Sequence, residues 1–297
     1  MAAGQQKRAV LIAGPTASGK SALALAMARE TGGLVVNADA MQVYDVLRVV
    51  TARPSGLETA EAPHLLYGFV DPAIRFSTGA WRDAAAHVIA GADGRTLIFV
   101  GGTGLYFEAL ERGFADVPPI PDEVNARVAA ELEGLDAEAR GRLLRARDPE
   151  MAARLQAPDP QRVARALAVL AATGRSLASF QAGEQAGLLE DFAVERIVLN
   201  PDREVLRQRI ARRFATMFDG GAVEEVKALL ALGLDPNLPA MKAIGVREIG
   251  AWLAGEMSRE AAIERAVIAT RQYAKRQRTW FRNRMGAWLW RDPNVTN

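Results

Sequence analysis

A glycine-rich motif near the start of the chain constrains the fold more than any other feature. The stretch GPTASGKS fits the pattern G-x-x-x-x-G-K-[ST], with Gly14, Gly19, Lys20 and Ser21 at its fixed positions. It follows the apolar run RAVLIA (8–13) and precedes an alanine- and leucine-rich stretch, which is the strand–loop–helix context of a phosphate-binding loop. The glycines let backbone N–H groups turn toward phosphate oxygens, Lys20 adds a positive charge, and the Ser21 hydroxyl is placed to hold Mg²⁺.

Three further apolar runs have the length and the β-branched content of buried strands. They are LVVNA (34–38), TLIFV (96–100) and ERIVLN (195–200). Because such continuous apolar strands alternate with helical stretches, we expect a parallel sheet with helices on both faces. The predicted fold is therefore α/β, with a P-loop NTPase-like parallel sheet and an inserted all-helical domain.

The predicted insertion begins at the proline-rich stretch VPPIPDEV and contains no comparable strand. Four stretches in it have helical periodicity: 124–134, 136–148, 149–156 and 160–174. We expect a P-loop-like core formed by 1–117 and 195–297, and a helical insertion domain at 118–194.

Composition excludes several kinds of chemistry. The 297 residues include no cysteine, which rules out disulfides, thiolate metal sites and a cysteine nucleophile. His64 and His87 are the two histidines, so a histidine-rich metal centre is not expected. No apolar run reaches the roughly 20 residues that span a bilayer. We expect a cytoplasmic monomer without a membrane partner.

One acidic residue stands at the end of a predicted strand, and it is Asp39. The strand TLIFV ends instead in Gly101-Gly102-Thr103, without the carboxylate that an NTP-hydrolysing protein of this fold normally places there. Asp39 has three possible roles: a Mg²⁺ ligand, a helix N-cap, or a general base that faces an incoming nucleophile. The spacing does not choose among them.

The C-terminal segment from Arg271 to Arg291 is strongly basic, with seven basic residues and no acidic one. This charge pattern indicates a local site for a polyanion, although a basic run is also typical of a solvated helix face. Tyr273 and Trp280 fall on the opposite side of the predicted helix, where they would anchor it to the core. One narrow stripe contains four of the cations: Arg271, Lys275, Arg278 and Arg282.

Seven separated stretches together resemble the tRNA dimethylallyltransferase family, in that family's order and across nearly the whole chain. The resemblance implies transfer of a dimethylallyl group from dimethylallyl diphosphate to N6 of the adenosine just 3′ of the anticodon. The stretches are GPTASGKS (14–21), NADAMQVY (37–44), TARP (51–54), APH (62–64), VGGTGLY (100–106), DPQRVARALAV (159–169) and TRQYAKRQRTWFR (270–282).

The resemblance also implies roles for individual residues. Asp39 matches the general base, Thr103 a residue at the reaction centre, and Lys20 a charge that acts on the leaving diphosphate. With Mg²⁺ at Ser21, the diphosphate would be bound by Gly14, Pro15, Thr16, Ala17, Ser18, Gly19, Lys20 and Ser21. The tRNA would be contacted by Asp39, Ala40, Met41, Gln42, Thr103, Asn125, Gln161, Arg162, Val163, Ala164, Arg165, Lys242, Arg247, Lys275, Arg276, Gln277, Arg278 and Arg282.

Two other functions use the same loop. One is a nucleotide or small-molecule kinase in which ATP binds the loop and Asp39 deprotonates an acceptor hydroxyl. The other is a nucleic-acid-binding NTPase switch. The missing carboxylate after TLIFV argues against the switch, and the long basic C-terminal segment argues against a kinase with a small acceptor.

Overall fold

The fold is that of a computed structural model, which describes residues 6–155, 158–183 and 186–294. Residues 1–5 and 295–297 of the predicted core lie outside the described residues, as do 156–157 and 184–185 of the predicted insertion, which include Gln156 at the end of one predicted helix. Six strands form one sheet in the order β3-β2-β4-β1-β5-β6, and every neighbouring pair is parallel. The strands are β1 (Arg8–Ala13), β2 (Leu34–Asn37), β3 (His64–Leu65), β4 (Leu97–Gly101), β5 (Ala193–Leu199) and β6 (Leu289–Arg291).

The predicted α/β fold with a parallel sheet is confirmed, and each of the four predicted strand runs forms a strand. The two edge strands, β3 and β6, were not predicted, because two or three residues are too few to show a periodic pattern.

Thirteen α-helices are found among the described residues. They are α1 (Lys20–Thr31), α2 (Gly56–Glu61), α3 (Thr78–Ala90), α4 (Gly104–Arg112), α5 (Asp122–Leu132), α6 (Ala137–Arg147), α7 (Pro149–Arg154), α8 (Pro160–Thr173), α9 (Leu177–Gln181), α10 (Arg203–Met217), α11 (Val223–Ala231), α12 (Val246–Leu253) and α13 (Arg259–Arg284). None of them is long and apolar enough to cross a membrane.

The chain divides into two compact units. One consists of the residues up to Glu111 together with those from Gly187 onward, and the other is Arg112–Ala186. In the first unit the strands alternate between two apolar clusters: Leu11 and Phe99 belong to one, and Val10 and Ile98 to the other. The sheet is therefore buried on both faces, as a parallel sheet requires.

The second unit has its own apolar core, formed by helices α5 to α9. Val163 and Leu167 of α8 pack there with Leu144 of α6. Asp148 is buried and satisfied, because its carboxylate accepts hydrogen bonds from the Met151 N–H at 2.9 Å and the Ser176 hydroxyl at 2.8 Å.

Candidate functional site

The loop between β1 and α1 has the backbone geometry of an anion-binding nest. Ala17 and Gly19 both have positive φ, at 63° and 93°, which turns successive N–H groups toward the same side. Gly14 has no space for a side chain, since a β-carbon there would lie 2.8 Å from both the Leu199 carbonyl oxygen and Ser18 Oγ. The first N–H groups of α1 have no partner within the helix, so they are free to bind an anion.

Lys20 reaches back over this loop, with its Nζ 3.4 Å from the Pro15 carbonyl oxygen. Burial lowers the pKa of Lys20 to about 8, and the positive charge of Arg213 acts in the same direction, against the opposing effect of Asp39. Burial likewise lowers the pKa of Arg213. Two cations are thus held close together in a poorly solvated place, which favours binding of an anion.

The loop opens into a cavity of about 1310 Å³, called the loop cleft below. Arg209, Arg212 and Arg213 of α10 line it together with Lys20 and Ser21. The sequence reasoning missed these three arginines. Their helical spacing was visible in REVLRQRIARRF, but their position opposite the loop follows from β5 lying next to β1 in the sheet.

Asp39 follows β2 and is held in a fixed conformation. Its N–H donates to Asn37 Oδ1 at 2.9 Å, and its Oδ1 accepts from the Met41 N–H at 3.0 Å. The buried Asn37 amide donates in turn to the carbonyl oxygens of Asp39 and Leu66, both at 3.0 Å. Because no helix begins after Asp39, the N-cap role is excluded.

Thr103 joins the ends of β2 and β4. Its N–H donates to the Ala38 carbonyl oxygen at 3.1 Å, and its Oγ1 accepts from the Ala40 N–H at 2.9 Å. The structure therefore places Thr103 directly beside the Asp39 segment.

A second cavity, of about 460 Å³, also borders Asp39 and is called the apolar cavity below. Ile210, Phe214 and Met217 of α10 form much of its wall. Asp39 and Arg213 line both this cavity and the loop cleft. A carboxylate thus borders both the phosphate-binding loop cleft and a cavity with partly apolar walls.

Tyr273 of α13 also lines the apolar cavity, although the sequence predicted that it would only anchor the helix. Burial and then the charge of Asp39 raise the pKa of Tyr273, so its phenol stays protonated. Trp280 packs against the start of α4, where a β-carbon on Gly104 would overlap its ring.

The predicted basic stripe faces a third cavity, of about 590 Å³, between α10 and α13. Arg278 has a buried Nε with no hydrogen-bond partner, and its pKa is lowered by burial and then by Arg282 and Arg203. Arg203 and Arg207 of α10 had not been predicted here. The cations of this basic cleft are Arg203, Arg207, Arg271, Lys275, Arg278 and Arg282.

Other residues of the first unit predicted to contact tRNA lie in different environments. Gln42 donates to the carbonyl oxygens of Thr51 and Ala52, both at 2.9 Å. Lys242 is exposed and lines the apolar cavity, and Arg247 is exposed on α12.

In the helical unit, the Asn125 amide donates to the Ile120 carbonyl oxygen at 3.3 Å. Gln161, Arg162 and Arg165 are exposed on α8, and Ala164 is partly buried.

Two predicted tRNA contacts need correction. The Val163 side chain is 0% exposed, because it lies on the face of α8 that packs into the core of the helical unit. Gln277 is 5% exposed and bonds to other parts of the chain. A contiguous stretch of a helix necessarily includes residues on its buried face, and the resemblance carried these over with their exposed neighbours.

Comparisons with known proteins point to one family. Residues 42–284 match the model of the family described as IPP transferase. A tRNA dimethylallyltransferase from Methylobacterium sp. (strain 4-46) is 53% identical over 295 residues, which are 98% of this chain and 96% of the relative. The corresponding protein of Rhizobium meliloti (strain 1021) is 52% identical over 279 residues, or 93% of this chain and 92% of the relative.

Solved structures give the same result. The full-length tRNA isopentenylpyrophosphate transferase of Bacillus halodurans is 32% identical, with a TM-score of 0.67 over 96% of this chain and 90% of its own. A eukaryotic dimethylallyltransferase acting on tRNA has a TM-score of 0.80 at 27% identity, over 96% of this chain and 74% of its own. The fold and the site define a P-loop-containing transferase class. The chain belongs to the IPP transferase family.

Proposed function

We propose that this chain transfers a dimethylallyl group from dimethylallyl diphosphate to N6 of the adenosine just 3′ of the anticodon in tRNA. One observation carries the proposal: Asp39 lines both the loop cleft and the apolar cavity. A base in that position is next to a site for diphosphate and to a space for a prenyl group. The names of the relatives, tRNA dimethylallyltransferases at about half identity, support the same reaction.

In the proposed reaction a bond forms between N6 and C1 of the dimethylallyl group as the bond from C1 to the diphosphate oxygen breaks. The lone pair of an exocyclic adenine amine is delocalised into the ring, so the amine needs a base and accurate positioning. Asp39 accepts the N6 proton. Its Oδ1 is already held by the Met41 N–H, which fixes the orientation of the carboxylate.

The leaving group is stabilised by the loop cleft. Lys20, Arg213 and the free amides at the start of α1 neutralise the charge that develops on diphosphate as the C–O bond breaks. The apolar walls from Ile210, Phe214 and Met217 hold the dimethylallyl group and keep water away from the reacting carbon.

Mg²⁺ fits the loop cleft as an ion shared between the protein and the donor. Among the described residues, no group of three or more His, Cys, Asp or Glu side chains could hold a metal alone. The Ser21 hydroxyl is exposed in the first turn of α1 and lines the cleft. Since Mg²⁺ commonly binds a few protein ligands together with substrate phosphates and water, Ser21 would hold it there. The bound ion would neutralise charge on the departing diphosphate.

The tRNA must present an adenine that is normally stacked in the anticodon loop. Extruding such a base costs about a few kcal/mol, which contacts to the displaced loop must offset. The proposed contacts are the exposed cations of the basic cleft, together with Arg276, Lys242 and Arg247. We propose a cytoplasmic monomer, since a single chain supplies both the loop cleft and the apolar cavity.

The test is to incubate the protein with Mg²⁺, dimethylallyl diphosphate and an unmodified anticodon stem-loop, and to measure the mass of the RNA. We expect each RNA to gain one dimethylallyl group, and a matched stem-loop with guanosine at the target position to gain none. An unchanged RNA mass together with ATP turnover would support the kinase instead.

A further inference from the structure

Gln277 is a buried residue in a helix segment otherwise rich in exposed charge. Its side chain is 5% exposed, between the exposed Arg276 and the half-buried Arg278. A buried amide is costly unless both its acceptor and its donor groups have partners. The partners of Gln277 therefore show what the residue holds together.

The Gln277 amide connects two loops that are distant in the sequence. Its Oε1 accepts a hydrogen bond from the Thr16 N–H of the phosphate-binding loop at 2.9 Å, across 261 residues. Its Nε2 donates to the Gly102 carbonyl oxygen at the end of β4 at 3.0 Å, across 175 residues. One side chain thus joins the phosphate-binding loop to the segment that carries Thr103.

A third partner of Gln277 is Tyr273, one helical turn earlier on α13. The hydrogen bond from Gln277 opposes, in part, the effect of burial on the Tyr273 pKa. A phenol oxygen that accepts from an amide keeps its own proton available for donation. Tyr273, which lines the apolar cavity, thus lies next to Gln277.

Gly102 shows how closely these groups fit. A β-carbon at this position would overlap Gln277 Nε2 and would lie 3.1 Å from Asp39 Oδ2. Gln277 and the carboxylate of Asp39 therefore pack against the same glycine. No side chain larger than hydrogen fits between them.

We propose that Gln277 is a positioning residue that fixes the phosphate-binding loop relative to Asp39 and Thr103. Gln277 accepts the Thr16 N–H and so holds the loop in place. The loop amides from Gly19 onward remain available to bind the diphosphate. This inference rests on the proposed function for the identity of the donor. It replaces the tRNA contact that the family resemblance implied for Gln277.

The first test compares Gln277→Met with Gln208→Met. Methionine keeps the length of the side chain and removes every hydrogen bond, and Gln208 is an exposed glutamine on α10 that lines none of the three cavities. We expect Gln277→Met to bind inorganic diphosphate with Mg²⁺ about 10-fold more weakly, the loss typical of one buried hydrogen bond. The Kd for the stem-loop should change less than 2-fold, and Gln208→Met should match the wild type in both.

A second variant, Gln277→Glu, keeps the shape of the side chain. It tests the inference even if the methionine variant does not fold. It places a negative charge at the loop and removes the donor to Gly102, so diphosphate binding should fall at least as far. The inference is overturned if either folded variant binds diphosphate like the wild type, or if RNA binding falls instead. Failure of the proposed function would appear separately, as a wild-type protein that binds diphosphate but does not prenylate RNA.

Discussion

The two sides of α13 differ in what they bind and in how they are built. On one side, Tyr273, Gln277 and Trp280 face the apolar cavity and the ends of the central strands. The Gln277 amide there has a partner for its acceptor and for its donor group. On the other side, Lys275 and Arg278 face the basic cleft, whose lining has six cations and one carboxylate. The first side fixes the geometry of a reaction, and the second offers charge to a polyanion. We propose that this one helix serves catalysis on one side and recognition of the tRNA on the other.

The largest expected effect is at Asp39, which lines the apolar cavity together with Tyr273 of α13. Asp39→Asn keeps the acceptor for the Met41 N–H and removes the base, so kcat should fall about 10³-fold, within the range typical of general-base catalysis. The Kd for the stem-loop should stay within about 2-fold of the wild-type value. Single-turnover kinetics and filter binding measure the two quantities.

The matched control for this change is Asp71→Asn. Asp71 is an exposed aspartate that accepts from the N–H two residues ahead, at 2.8 Å, as Asp39 does. It should retain full turnover. A kcat for Asp39→Asn close to that of Asp71→Asn would show that Asp39 is not the general base.

Packing of Trp280, on the side of α13 opposite the basic cleft, gives the next largest effect. Gly104→Ala drives a methyl group into the Trp280 ring, and overpacking of this kind costs about 1–3 kcal/mol of unfolding free energy. Urea denaturation measures the loss. Gly220→Ala is the control, because a β-carbon there meets nothing within 4 Å. Equal stability of the two variants would show that Trp280 does not pack on α4.

Substitutions in the basic cleft, which one side of α13 faces, should affect RNA binding alone. Replacing Arg203 and Arg278 together by alanine removes two cations of the basic cleft, so affinity for the stem-loop should fall about 10-fold. The slope of log K against log salt concentration should decrease by about 1.5. Lys227→Ala, an exposed cation on α11, is the control. If the double variant keeps the wild-type slope, the basic cleft is a solvated surface.

The last expected effect is the pH dependence that Lys20 gives to diphosphate binding. Its pKa of about 8 means that Lys20 is charged below that pH and becomes neutral as the pH rises through it. Binding of diphosphate by the wild type should therefore weaken above pH 8 relative to Lys20→Met, by up to about 10-fold per pH unit. Calorimetric titrations of both proteins between pH 7 and 9.5 measure this difference. A constant ratio of the two affinities would mean that Lys20 does not titrate at the site.

The parts of the site that the sequence predicted are local. The loop from Gly14 to Ser21 is predictable because eight consecutive residues, two of them glycines at fixed places, carry both its shape and its charge. Asp39 was predictable as an acid at a strand end. The role of Asp39 could not be predicted, because the Asn37 bonds that fix it and the cavities that it lines come from the packed fold.

The site residues that the sequence did not predict depend on contacts between segments that are far apart in the chain. Arg213 reaches the loop cleft only because β5 pairs with β1, and Gln277 reaches Thr16 across 261 residues. The basic run of α13 and its opposite side with Tyr273 and Trp280 were visible in the sequence, but the bonds from that helix to Thr16 and Gly102 depend on the packed fold. Val163 shows the same limit, since the buried side of α8 is set by the core of its unit.

In the proposed reaction, the loop holds a leaving diphosphate while Asp39 accepts the proton of an RNA amine. The most direct measurement counts released diphosphate and prenylated RNA in the same reaction with Mg²⁺ and dimethylallyl diphosphate. We predict one diphosphate for each modified RNA, and essentially none when the stem-loop is left out or carries guanosine at the target position. Diphosphate release that continues without RNA, or ATP consumed in place of the donor, would contradict the claim.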